Sequence, residues 1–163
     1  MLTQERLKEV LSYDQGTGLF YWRSDMRNGS KAGQAAGWVS AGGYVYIGID
    51  RAHYRAHRLA WLYVHGEFPE FVIDHANGVA TDNRIANLRP ATQAQNMHNK
   101  RAAKSSKTGV KGVCYCSTSG RYQVKITVDG KYKHIGRYDT VEEGAAAYAE
   151  AAKRYHGEFA RTA

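Results

Sequence analysis

Four residues in the middle of the chain have the types and spacing to do phosphoryl chemistry: Asp74, His75, Asn87 and Asn96. Cutting a phosphodiester with one hard cation takes oxygen ligands for the cation and a separate base for water. Asp74 offers a carboxylate and Asn96 a neutral amide oxygen, a set suited to Mg²⁺ or Mn²⁺. His75 titrates near neutrality and can take the proton from the attacking water. Adjacent strand residues point to opposite faces, so Asp74 and His75 act together only where the strand ends. The Asn77-Gly78 turn supplies that end. His98 is a second candidate for the cation, but two helical positions from Asn96 turn it about 200° away, so Asn96 is preferred. His57 and His65 flank an apolar helix and read as structural, while His53 and His156 read as surface residues.

The elements that must position these groups follow from periodicity. Leu2, Leu7, Val10 and Leu11 recur at helical spacing after Thr3, a suitable N-cap. Leu19 to Trp22 and Tyr44 to Ile49 read as short strands, the second with a period of two. Residues 57–64 read as a helix ended by Gly66, residues 71–75 as extended, and a further helix is expected from Ala91 to about Asn99. Residues 100–108 hold basic, small and polar side chains and read as a linker. Beyond it, strands are expected at 110–115, 121–128 and 131–138. Asp129-Gly130 marks a hairpin, and a helix begins at Thr140 with Glu143 completing a capping box.

Charge divides the chain further. Of 163 residues, 23 are Lys or Arg and 15 Asp or Glu, a net +8. Residues 98–140 carry 10 basic against 2 acidic side chains, so nearly all the excess lies in one stretch, as a polyanion-binding surface requires. No apolar run is long enough to span a membrane, and Met1 to Arg6 lacks the layout of a signal peptide. Cys114 and Cys116 form no Cys-x-x-Cys pair, which argues against a structural zinc.

The run IDHANGVATDNRIANLRPATQAQN, preceded by HRLAWLYVHGEFPE, resembles the HNH endonuclease motif, the ββα-metal fold of phage and homing endonucleases. The resemblance implies that His75 is the general base, Asp74 and Asn96 the metal ligands, and Asn87 the residue that fixes the motif loop and so orients the histidine. Asn at position 96 departs from the histidine that gives the motif its last letter. Residues 109–159 resemble the ethylene-response-factor or Apetala DNA-binding domain, through GVKGV, GRYQVKI and HIGRYDTVEEGAAAY. That family lays a three-stranded sheet in the DNA major groove. Alternation then puts Tyr122, Val124 and Ile126 toward the helix, and Arg121, Gln123 and Lys125 on the DNA face. Tyr132 and His134 join that face, with Lys111 on the first strand. Lys100, Arg101, Lys104 and Lys107 of the linker are expected to follow the phosphate backbone.

These readings combine into one expectation: an α+β protein with an HNH nuclease domain over 1–99 (motif core 57–99), a basic linker over 100–108, and a DNA-binding domain over 109–163. The expected activity is hydrolysis of double-stranded DNA with one Mg²⁺ or Mn²⁺. One motif per chain implies a nicking monomer or weak dimer. The expected location is the cytoplasm of a bacterial or phage-infected cell, away from membranes. The rival is a non-catalytic DNA-binding regulator with a decayed HNH domain.

Overall fold

The computed structural model describes residues 1–26, 29–100, 102, 103 and 105–161. It divides into two compact units, Met1–Ala91 and Thr92–Ala163. No helix among the described residues is long and apolar enough to cross a membrane.

The first unit opens with helix α1 (Gln4–Val10), whose N-cap Thr3 accepts from the Arg6 amide. Strands β1 (Leu11–Asp14) and β2 (Leu19–Trp22) form an antiparallel hairpin. A meander comes next, with β4 (Val45–Ile49) paired on one side to β3 (Trp38–Val39) and on the other to β5 (Ala52–Arg55). Ile47 and Ile49 of β4 are buried, as the period of two requires. Helix α2 (Ala56–His65) buries Leu59, Ala60 and Leu62, and left-handed Gly66 ends it by donating to the Leu62 carbonyl. Strand β6 (Val72–His75) pairs antiparallel with β7 (Leu88–Ala91), which is preceded by a 3-10 turn at Ile85–Asn87. One core joins these pieces, including Leu7, Leu11, Phe20, Ile47, Leu59 and Ile73.

The second unit begins with helix α3 (Gln93–His98), capped by a reciprocal box between Thr92 and Gln95. The expected helical start at Ala91 moves to Gln93, because Pro90 and Ala91 are spent on β7. Helix α3 therefore groups with the C-terminal part of the chain, not with residues 1–91 as the sequence boundary at 99 had it. The reason lies inside the second unit. The Lys111 ammonium donates to the carbonyls of Met97, His98 and Lys100, and the His98 ring stacks on His156 at 3.7 Å.

Strands β8 (Val113–Cys116), β9 (Arg121–Val128) and β10 (Lys131–Tyr138) form an antiparallel sheet in the order β10-β9-β8. Asp129 and Gly130, both with positive φ, make the two-residue β9–β10 turn that Asp-Gly predicts. Helix α4 (Val141–His156) starts at the Thr140–Glu143 capping box. Its Tyr148, Ala151 and Ala152 are buried in one cluster with Val113, Val124 and Ile126. Gly144 brings α4 so close to β8 that an added Cβ would stand 3.1 Å from the Val113 side chain.

Candidate active site

Strand β6 stops at His75, and the chain turns at once, Gly78 donating its amide to the His75 carbonyl at 2.7 Å. Asp74 and His75 are 2% and 6% exposed, so the strand end delivers both into a nearly dry environment. Their side chains take different partners. Asp74 lies opposite Arg89 in the β6–β7 register, and two guanidinium contacts, Nε at 2.9 Å and Nη2 at 2.8 Å, fall on Oδ2. A buried carboxylate needs such a compensating charge.

The loop between β6 and the 3-10 turn is closed by Asn87. Its side-chain oxygen accepts from the Asn77 amide at 3.0 Å, its Nδ2 donates to the Asp82 carbonyl at 2.8 Å, and its own carbonyl accepts from the Ala76 amide at 2.9 Å. One residue thus fastens both sides of the loop. Asp82 stiffens it further. Its carboxylate accepts from Arg84 and from Asn77 Nδ2, and the Arg84 guanidinium beside it holds its pKa down at about 2.

Three groups around the His75 ring were not singled out for a role by sequence reasoning. Asn83 is 2% exposed and sets its Oδ1 3.4 Å from His75 Nε2. His57, read as structural, meets the His75 ring edge-on with centroids 5.1 Å apart and an interplanar angle of 86°. Tyr44 approaches both rings, at 5.6 Å from His57 and 6.1 Å from His75. Burial drives the His57 pKa down to about 3, with the neighbouring His75 adding to the effect. Burial likewise lowers His75, opposed by the Asn83 contact and by Asp74. Both imidazoles are therefore neutral at pH 7, the form in which His75 can accept a proton. An Asn between Asp82 and Arg84 reads in sequence as a solvated turn, and nothing in the spacing marks it.

Asn96 is half-buried on α3, in the second unit. Among the described residues no group of three or more His, Cys, Asp or Glu side chains could hold a metal. The oxygen donors proposed from sequence are one carboxylate and one amide. Each offers an oxygen of the kind a hard cation takes.

The basic residues of the second unit separate into distinct environments. Lys100 and Lys107 are exposed, while Arg101 and Lys104 lie outside the described residues. Lys111 corrects the sequence expectation. Left-handed Gly112 delays β8 to Val113, and the Lys111 ammonium is engaged by three carbonyls at 2.6–3.1 Å rather than presented on the sheet face. Arg121 is exposed but doubly bonded to Asp139. Gln123 and His134 bond each other at 3.3 Å, Lys125 is exposed, and Tyr132 is 83% exposed. Thr127 lies opposite Tyr132 and Lys125 opposite His134, so these side chains share one face. A bulge between His134 and Gly136 then shifts the register and puts Arg137 opposite Gln123, on that same face. Simple alternation misses Arg137; the signal available in sequence was Gly136, a residue that marks bulges.

Comparison with known proteins identifies the family. The model of the HNH endonuclease family matches residues 54–98, the span from β5 through α3. Protein 3.8 of Escherichia phage T7 is 30% identical over 108 residues, covering 66% of this chain and 88% of the phage protein. An uncharacterized HNH endonuclease of Acanthamoeba polyphaga mimivirus is 29% identical over 116 residues, covering 70% of this chain. The chain belongs to the HNH endonuclease family. It spans 59% of the length of the mimivirus HNH endonuclease. Among solved structures, the HNH homing endonuclease I-HmuI aligns with 90% of this chain and 84% of its own, at 18% identity and a TM-score of 0.42. Within the HNH span, the start of α2, the β6 end, the Asn87-tied loop and β7 are the parts around His75.

Proposed function

We propose that this HNH endonuclease is a divalent-metal-dependent enzyme that hydrolyses phosphodiester bonds in double-stranded DNA, nicking one strand per active site in the manner of homing-type nucleases. The observation that carries the reading is the buried His75 at the end of β6, next to Asp74 in the chain and followed by a loop that Asn87 closes. Asp74 and Asn96 are the ligands proposed for one Mg²⁺ or Mn²⁺. Their hard oxygen donors fit such a cation, which when bound supplies Lewis-acid stabilisation of charge on the phosphate and the departing 3′-oxygen.

The chain's own residues do the rest. His75 accepts the proton of the attacking water as a new P–O bond forms and the bond to the 3′-oxygen breaks. Arg89 holds the Asp74 carboxylate in place by two contacts on one oxygen. Asn87 keeps the loop from relaxing, so the imidazole stays at the strand end. The second unit, from its likeness to the ethylene-response-factor or Apetala domain, is proposed to supply DNA affinity. Its exposed Lys125, Tyr132, His134 and Arg137 share a sheet face, with Lys100 and Lys107 on the adjoining segment. On this reading cutting belongs to residues 1–99, where the HNH match ends with α3 of the second unit, and binding belongs to 109–163.

Supercoiled plasmid incubated with the purified protein tests the reading. Open-circle product is expected with Mg²⁺ or Mn²⁺, and its loss is expected with EDTA and with His75→Ala. Equal cutting by the parent and by His75→Ala would refute the assigned base, and equal cutting in EDTA would refute the metal.

A further inference from the structure

We propose that Asn83, anchored by Tyr13, is a positioning residue that sets the tautomer of His75, keeping the ring proton on Nε2 and the basic lone pair on Nδ1. The inference rests on the proposed role of His75 as general base.

A carboxamide has one accepting and one donating end, and here its orientation is fixed from the far side. Asn83 Nδ2 donates to the Thr81 carbonyl at 3.1 Å, which turns Oδ1 toward His75 Nε2 at 3.4 Å. Reversing the amide would set its oxygen against the Thr81 carbonyl, acceptor against acceptor. A carbonyl oxygen facing a ring nitrogen can only accept, so that nitrogen carries the hydrogen. A neutral imidazole has one N–H, which leaves Nδ1 as the base. At 2% exposure, Asn83 has almost no water to exchange partners with.

The backbone of Asn83 is held by a remote part of the chain, at its main-chain carbonyl. The Tyr13 hydroxyl donates to the Asn83 carbonyl at 2.6 Å, across 70 residues of sequence. The Tyr13 ring is itself fixed, stacked on Phe20 at 4.7 Å and tilted against Tyr63 at 5.6 Å. The β1–β2 hairpin thus reaches the catalytic histidine through one backbone bond and one amide.

The test uses the full chain with ¹⁵N-labelled histidine. Long-range proton–nitrogen spectra at a pH where His75 is neutral should show Nε2 protonated and Nδ1 bare. In Asn83→Leu that signature should be lost or mixed, with kcat for plasmid nicking down about 10- to 100-fold and KM little changed. Asn83→Asp keeps an acceptor oxygen toward the ring but sets its second oxygen against the Thr81 carbonyl, so it should keep the proton on Nε2 while recovering only part of the rate. A parent ring protonated on Nδ1, or Asn83→Leu with parental spectrum and rate, would overturn the proposal. If Asn83→Leu does not fold, the parent spectrum and Asn83→Asp still decide it. A parent that shows the expected tautomer but cuts no DNA would instead overturn the function proposed for His75.

Discussion

Gly18 lies 57 residues from His75 in sequence, yet its replacement by alanine should slow catalysis. It occupies the β1–β2 turn at φ +76, where an L-residue costs about 1–2 kcal/mol. A methyl group there would also meet backbone. It would stand 2.7 Å from the Asn83 carbonyl carbon and 3.1 Å from the Asn83 nitrogen, with the Arg84 nitrogen closer than any real contact allows. Carbon atoms pack at about 3.5–4.0 Å, so the segment at Asn83 and Arg84 must retreat by about 1 Å or the hairpin must lift. Either movement disturbs the register between the hairpin and Asn83 on which the Tyr13 bond and the His75 contact depend. A displacement of about 1 Å in a catalytic constellation costs on the order of 100-fold in rate. Gly18→Ala should therefore lower kcat for nicking by about 10- to 100-fold, leave KM near its parental value, and lower the melting temperature by several degrees. Plasmid kinetics beside a thermal melt separate the two effects at a temperature where the variant is folded. A variant that melts earlier but cuts at the parental rate would show that the hairpin supports stability without holding the loop in register.

Three further outcomes follow from the same geometry. His57 takes up a proton near pH 6.5 when unfolded but only at about 3 when folded, so acid favours the unfolded chain. Its contribution is intact above pH 6.5 and is lost by about 1.4 kcal/mol per pH unit below it, about 2 kcal/mol at pH 5. Denaturant melts at pH 7 and pH 5 should show that loss for the parent and a smaller one for His57→Phe, and equal losses would refute it. Asn87→Ala removes two side-chain hydrogen bonds across the motif loop, at about 1 kcal/mol each; the loop amides of Asn77 and Ala76 should lose hydrogen-exchange protection, and unchanged protection would count against Asn87 as the loop's fastener. For DNA binding, Lys125→Ala and Arg137→Ala should each reduce the slope of log K against log salt by about 0.9. Lys111→Met should leave that slope alone and lower the melting temperature instead, and a reduced slope for it would return Lys111 to the DNA face.

The part of the fold and site legible in the sequence was the part that depends on neighbours along the chain. Asp74 and His75 stand where a strand meets a tight turn, while the place of Asn87 in the loop came from the resemblance to the HNH motif. The helix limits at Gly66 and Thr140 come from local capping chemistry. The features that escaped depend on partners brought together only by the fold. Tyr13 and His57 reach the neighbourhood of His75 from a hairpin and from a helix start, and no periodicity connects those segments to residue 75. The basic sheet shows the same limit at single residues. Alternation counted Lys111 outward, but left-handed Gly112 breaks the strand and sends the ammonium to the end of α3. Alternation from Tyr132 and His134 passes over Arg137, which the bulge between His134 and Gly136 brings to the face of Gln123. The positive charge of residues 98–140 is thus not one uniform surface. Lys111 is consumed by backbone carbonyls and Arg121 is paired with Asp139, while Lys125 and Arg137 stay on the exposed face. Charge counting finds the basic stretch; which of its cations stay available on the sheet face is decided by the Asp139 ion pair and by backbone irregularities at two glycines, Gly112 and Gly136.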